Sequence, residues 1–221
     1  MRFSMSILLL ASLAGCATPM PPVKQLPTTT TPTIDNSKIR NSIEFTKVVI
    51  GLERGEVYGQ LGSGLLCIPG PPLKWDGGTP TLSEGPLVGT VRDTFGKAGI
   101  KLAGDPKQLF NVGPDSLGEL VVAAKIEKVD LRVCGVGTYA GQKGVAYVKV
   151  EWQVFSRTLG SVILTTTTEG SFETTEFKPQ ASGWITGAVE EATRRFLSNA
   201  DVQKLFATPV SRTTPGEPTR S

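Results

Sequence analysis

The sequence predicts an α+β fold: an antiparallel sheet built on a three-stranded meander, two helices packed on one face, and a Gly/Pro-rich β arm on the N-terminal side. Three observations carry this expectation. Segments 120–133, 145–155 and 161–172 are rich in β-branched and apolar residues and follow one another through turn-forming residues. Two other segments repeat apolar residues at helical spacing, Leu87, Val91, Phe95 and Ala98 in the first, Ile185, Val189, Ala192 and Phe196 in the second. Residues 51–78 carry eight Gly and three Pro, which excludes helix there. Helices segregated to one side of a mainly antiparallel sheet make an α+β sandwich.

Taken in order, Ile43 to Ile50 is β-branched and apolar enough for a strand. The arm that follows has short apolar pieces at Val57-Tyr58 and Leu65-Leu66-Cys67-Ile68, giving one or two short strands stapled at Cys67, with Pro69, Pro71 and Pro72 stopping any continuation. Pro86 suits a helix first turn and Gly99 a left-handed C-terminal cap. Ile100-Lys101-Leu102 reads as a short strand, and Gly104-Asp105-Pro106 as a turn into one helical turn through Leu109 and Phe110. In the meander, Leu120, Val122, Ala124 and Ile126 share a face. Ala146, Val148, Val150, Trp152 and Val154 alternate with Lys149, Glu151 and Gln153, as a strand with one wet face requires. Thr165 to Thr168 gives the third strand an uncharged polar face; at a sheet edge it would accept another strand by β-augmentation. Trp184 to Phe206 reads as one helix with Glu190–Arg194 and Glu191–Arg195 as outward i, i+4 pairs.

The start of the chain bears on its location. Arg2 supplies a positive n-region, Met5 to Leu13 an apolar run too short to span a bilayer, and Ala14 and Gly15 the small residues before Cys16. Leu13-Ala14-Gly15-Cys16 resembles the lipobox of a bacterial lipoprotein signal, cleaved after Gly15 with lipid on Cys16. The competing reading is an ordinary secretory signal that contains a cysteine. Two or three acyl chains give durable anchoring where one is marginal. Ala17 rather than Asp after the cysteine implies, by resemblance to Gram-negative lipoproteins, the outer membrane, on its periplasmic side. The expected organisation is signal peptide 1–15, lipidated Cys16 with a Pro/Thr-rich linker to 39, one domain over 40–207, and a disordered tail over 208–221. Five Pro and six Thr between residues 17 and 38 leave little apolar surface to offset ordering entropy, hence a linker holding the domain away from the membrane.

Cys67 and Cys134 remain after lipidation. In an oxidising periplasm the pair is most simply a disulfide; the alternative is two separate buried thiols. Two thiols without any His are too few for a metal site, so no metal or cofactor is expected. The mature chain carries 22 basic and 20 acidic side chains, no electrostatic footprint for nucleic acid. The absence of His removes Ser-His-Asp and Cys-His machinery. Gly62-Ser63-Gly64 is not a nucleophile elbow, because Leu61 stands where the first Gly belongs. Gly135 to Gly141 has the wrong spacing for a dinucleotide loop and leads into a strand. Asp93, Asp105, Asp115 and Glu119 show no pairing across a cleft. No catalytic residue is therefore expected. Trp152 belongs to the core. Trp75, in a Gly-rich stretch, either anchors a partner or folds back over the Cys67 region; Tyr139 lies in the other Gly-rich loop.

The element order resembles that of small Gram-negative outer-membrane accessory lipoproteins. Gly51 to Gly59, Gly64-Leu65-Leu66-Cys67-Ile68-Pro69, Phe95-Gly96-Lys97-Ala98-Gly99 and Val150-Glu151-Trp152-Gln153-Val154-Phe155-Ser156 resemble the non-catalytic region preceding trypsin-like peptidase domains in some bacterial envelope proteins. That resemblance spans roughly residues 45–172 and implies a docking or sensing module. The expectation is a non-enzymatic, lipid-anchored module that docks on an envelope protein through the 51–78 and 135–144 loops, with Trp75 and Tyr139 as contacts. A small-ligand or peptidoglycan-binding lipoprotein is the first alternative, and an enzyme using carboxylates the second.

Overall fold

The computed structural model describes residues 22–79, 82–104, 117–136, 141–178 and 183–210. Six strands form one open sheet: β1 (Ile43–Ile50), β2 (Val57–Ser63), β3 (Ile68–Lys74), β4 (Leu120–Gly135), β5 (Gln142–Ser156) and β6 (Ser161–Lys178). The helices are α1 (Glu84–Lys97), α2 (Trp184–Ser198) and α3 (Ala200–Ala207). The β4-β5-β6 meander is antiparallel throughout, as expected, with Ala124 opposite Trp152 and Trp152 opposite Thr166. β1 and β2 lie one after the other along the free side of β4, both parallel to it, β1 against Leu120 to Ile126 and β2 against Leu131 to Gly135. β3 returns antiparallel to β2. The sheet thus runs β3-β2-β4-β5-β6, and β6 ends it.

One face of the sheet carries the helices. The predicted helical faces are the buried ones: Leu87, Val91, Phe95 and Ala98 on the first, Ile185, Val189, Ala192 and Phe196 on the second. Aromatic rings join the layers, Phe45 to Phe95 at 6.1 Å, Phe95 to Phe196 at 6.2 Å, and Phe196 stacked on Trp152 at 4.5 Å. Such pairs add about 0.5–1.5 kcal/mol each beyond their area. Burying the Trp152 indole requires a partner for its N–H, and Thr168 Oγ1 accepts it at 2.7 Å while donating onward to the Ala192 carbonyl. That relay ties β5, β6 and α2 together. α2 approaches β6 closely at Gly170, where a Cβ would lie 1.9 Å from the Ala188 carbonyl oxygen. Gly99 ends α1 with φ +87°, as a left-handed cap requires.

Four expectations are corrected. Pro69, Pro71 and Pro72 do not stop a strand; they lie within β3. β3 is an edge, so a missing N–H on its outer side costs no ladder bond, and two register shifts accommodate the remainder. The single helix over 184–206 is two, because the Asn199 side chain accepts from the N–H groups of Asp201 and Val202 and caps a new helix. Ile100 to Leu102 contributes only an isolated bridge from Leu102 to Ile43, not a strand.

The fourth correction concerns residues 22–39, which lie on the domain instead of standing away from it. Val23 is buried. Lys24 pairs with Glu169 and sits over the Tyr147 ring. The Leu26 N–H donates to Ser171 Oγ, the Thr29 N–H to Glu191 Oε1 at 2.6 Å, and Arg195 to the Pro27 carbonyl. The Ile34 N–H then reaches the Ala98 carbonyl, and the Arg40 N–H the Phe206 carbonyl. Composition alone suggested a linker because the strap buries few side chains; its backbone hydrogen bonds to β6, α1, α2 and α3 hold it. Glu191 is accordingly buried, 3% exposed, where an outward position was expected; it still pairs with Arg195. At the other end, Asn41 accepts from the Val210 N–H and donates to the carbonyls of Leu205 and Thr208. Residues 208–210, expected in the tail, are thereby pinned. Cys16, Asp105, Pro106, Leu109, Phe110, Asp115 and Tyr139 lie outside the described residues.

Candidate docking surfaces

Cys67 and Cys134 form a disulfide with Cα atoms 5.4 Å apart. It fastens the β2–β3 turn to the end of β4, and the Gly64 N–H donates to the Gly135 carbonyl beside it. Cys67 adopts a left-handed backbone (φ 51°), which costs a non-glycine residue about 1–2 kcal/mol. The bridge therefore holds a turn that the residue itself disfavours. Beyond the staple, Leu65 and Leu66 are 77% and 87% exposed, and Val57, Leu61 and Ile68 on the same hairpin are about half exposed. Contiguous exposed apolar side chains mark interaction surfaces.

Trp75 is not among them. Its indole is buried in the core, and its backbone closes the loop below β2 through bonds with Gly55 and Glu56. This corrects its expected role as a partner contact: folded against its own domain, the ring has no surface to offer. Sequence reasoning did not single out Leu65 and Leu66 as exposed, because a short apolar piece between glycines reads as a strand. The signal was present, since 57–73 contains no charged residue.

The second surface is the outer edge of β6. Ser161 to Thr168 carries no charge and no Pro, and among the described residues no strand pairs with its outer side. The opposite side is shared by β3, broken by its three prolines, and β1, which carries Glu44 and Lys47. The strap crosses β6 only near Glu169 and Ser171. There, burial and the Glu169 carboxylate raise the pKa of the Tyr147 hydroxyl well above its ordinary value. Hydrogen bonds from Lys24 and Tyr147 lower that of Glu169. The residues before that crossing stay open, with Val162 50% exposed.

The candidate carboxylates fall into structural roles. Glu119 Oε1 accepts from the Ser156 hydroxyl and the Thr158 N–H, 3.2 Å each. A hydrogen bond from the Thr158 hydroxyl, aided by the Thr158 N–H, Ser156 and Arg157, lowers its pKa against the opposing effect of burial. It organises the β5–β6 turn. Asp93 lies on the exposed side of α1. A pocket of about 450 Å³ opens between the first turns of α1 and α2 and the sheet, lined by Leu61, Leu87, Leu131, Val133, Trp184 and Ile185. A smaller recess beside the disulfide is lined by Arg132, Lys143 and Glu173. Among the described residues there is no cluster of three or more metal-ligating side chains, and no helix long and apolar enough to cross a membrane.

No family model matches the chain, and no curated protein matches it. A solved structure from Xanthomonas campestris, of the DUF330 family, aligns with a TM-score of 0.42 at 10% identity, covering 81% of this chain and 92% of its own. A protein of Caulobacter crescentus, provisionally assigned as a lipoprotein, aligns at 0.32 and 12% identity, over 56% of this chain and 83% of its own. An uncharacterised protein aligns at 0.31 and 13% identity, over 82% and 96%. These likenesses assign neither a family nor a role to the chain, and the resemblance to the region preceding trypsin-like peptidase domains gains nothing from them.

Proposed function

We propose that this chain is a non-enzymatic, lipid-anchored protein of the bacterial envelope that serves as an accessory module. It is carried on the periplasmic side of the outer membrane through acyl chains on Cys16. It docks an extended segment of a partner protein against the outer edge of β6. The observation that supports this most is that edge itself: an uncharged, β-branched run from Ser161 to Thr168 ending a sheet whose other side is formed by the proline-broken β3 and by β1 with its charged Glu44 and Lys47. Main-chain hydrogen bonds would supply affinity, and alternating side-chain positions specificity. The anchor confines the domain to a thin layer, so a weak contact gains from local concentration.

The test is in-cell photo-cross-linking from Thr165 and Thr167, followed by identification of the joined peptide. Docking predicts one envelope protein, joined through an uncharged segment, and loss of the product when Thr165→Lys and Thr167→Lys put charge beside the edge. A product that survives both substitutions, or joins only abundant bystanders, contradicts it. The alternative, a small apolar ligand, is favoured by the pocket lined by Leu61, Leu131 and Trp184. Co-purified lipid or hydrocarbon lost on Leu131→Glu would move that reading to the front.

A further inference from the structure

The β2–β3 hairpin carries the most exposed large apolar side chains among the described residues. From Val57 to Leu73 the chain has no charged residue, yet its tip projects Leu65 and Leu66 almost fully into solvent. Leu61 and Ile68 widen the same apolar surface behind them. Water is a poor environment for such a surface. A bilayer interface suits it, because no charge has to be desolvated on entry.

The strap says which end of the molecule can reach a bilayer. Lys24 is fixed over Tyr147 and against Glu169 on the sheet face opposite the helices. Residues 17–23 separate Cys16 from Lys24, so the covalent reach from that fixed point is roughly 28 Å at full extension. Along β5, Tyr147 stands five residues from Gln142, beside the hairpin end of the sheet, or about 17 Å at strand rise. It stands nine residues from Ser156 at the other end, about 30 Å. An orientation that rests the molecule on the β5–β6 turn, which extends past Ser156, asks for more than the fully extended tether. One that rests it on the β2–β3 tip does not.

We propose that Leu65 and Leu66 are seated in the surface of the same membrane that holds the acyl chains of Cys16, so the domain is held at two points with its hairpin end downward. The proposal rests on the lipid-anchor reading above. It leaves the β6 edge standing off the membrane, open to a partner.

The test uses the full, natively processed protein in vesicles of phosphatidylcholine and phosphatidylglycerol, with and without brominated acyl chains. Leu66→Trp reports the tip and Leu159→Trp the opposite turn; Trp75, Trp152 and Trp184, all buried, give both variants the same background. The expected result is at least about twofold quenching of the added Leu66→Trp emission by brominated lipid, and none of that from Leu159→Trp. Protein that floats with the vesicles but shows no quenching at either position overturns the tip contact while leaving the anchor. Quenching from Leu159→Trp alone overturns the orientation. Protein that does not float overturns the anchor and the tip contact with it.

Discussion

Removing the Cys67–Cys134 bridge by Cys67→Ala with Cys134→Ala gives a quantitative test of how the hairpin is held. The bridge spans a sequence separation of 67. On the chain-entropy model, closing a loop of that size in the unfolded chain stabilises the fold by about 4 kcal/mol. The left-handed backbone that Cys67 is made to adopt offsets about 1 kcal/mol of this. The net loss on removal is then about 3 kcal/mol. In a domain of this size each kcal/mol moves the melting temperature by about 2–4 °C, so a fall of about 6–12 °C is expected. Guanidinium unfolding of the oxidised wild type and the double variant, followed by tryptophan fluorescence from Trp75, Trp152 and Trp184, measures the difference. Amide exchange adds the local part: the Gly64 and Cys67 N–H groups should lose protection in the variant well before those of β5. A stability difference under 1 kcal/mol would refute the reasoning, and would mean that the hairpin is held by β2–β4 pairing alone.

Three further outcomes follow from the same structure. Gly170→Ala places a Cβ 1.9 Å from one α2 backbone atom and 2.6 Å from another, so α2 must lift and stability should fall by about 1–3 kcal/mol, whereas Gly89→Ala, with nothing within 4 Å, should gain up to about 1 kcal/mol; thermal melts distinguish them. Asn199→Ala removes the α3 cap and should cost about 1 kcal/mol, with protection lost first at Asp201 and Val202. Glu169 has its pKa lowered in the folded protein by Lys24 and Tyr147, so its contribution is present above the unfolded value of about 4.3 and is lost as pH falls through the folded one. The strap should therefore loosen below about pH 4, seen as faster exchange at the Leu26 N–H after correction for intrinsic rate, and Glu169→Gln should abolish that dependence.

What was legible in the sequence was whatever a period could express. The alternation through Trp152 gives β5 its core face, and the spacing of Leu87, Val91, Phe95 and Ala98 gives α1 its own. Both hold because one-sided burial imposes the period of the element. What escaped was set by neighbours in space. Pro69 to Pro72 read as a stop because their tolerance depends on β3 being an edge, and strand order leaves no local trace. The strap read as a linker because its partners, Ser171, Glu191 and Ala98, lie far along the chain. Glu191 shows the same limit: its helical spacing from Arg195 was readable, but not the Thr29 N–H that covers it. For the candidate surfaces, the cysteine pair marked a hairpin that the structure leaves exposed and the threonine run a strand that it places at the sheet edge. Trp75 was the wrong anchor, since an aromatic among glycines has the same signature whether it turns in or out.

In the proposed function, the geometry of strap, hairpin and open edge acquires its meaning from a lipid carried on Cys16. The most direct measurement is the mass of the N-terminal peptide from the protein purified out of its own membrane. A mature chain that begins at Cys16 and carries a diacylglyceryl group with an amide-linked acyl chain is the predicted result. A chain that begins at another residue, or that has an unmodified Cys16, would contradict it.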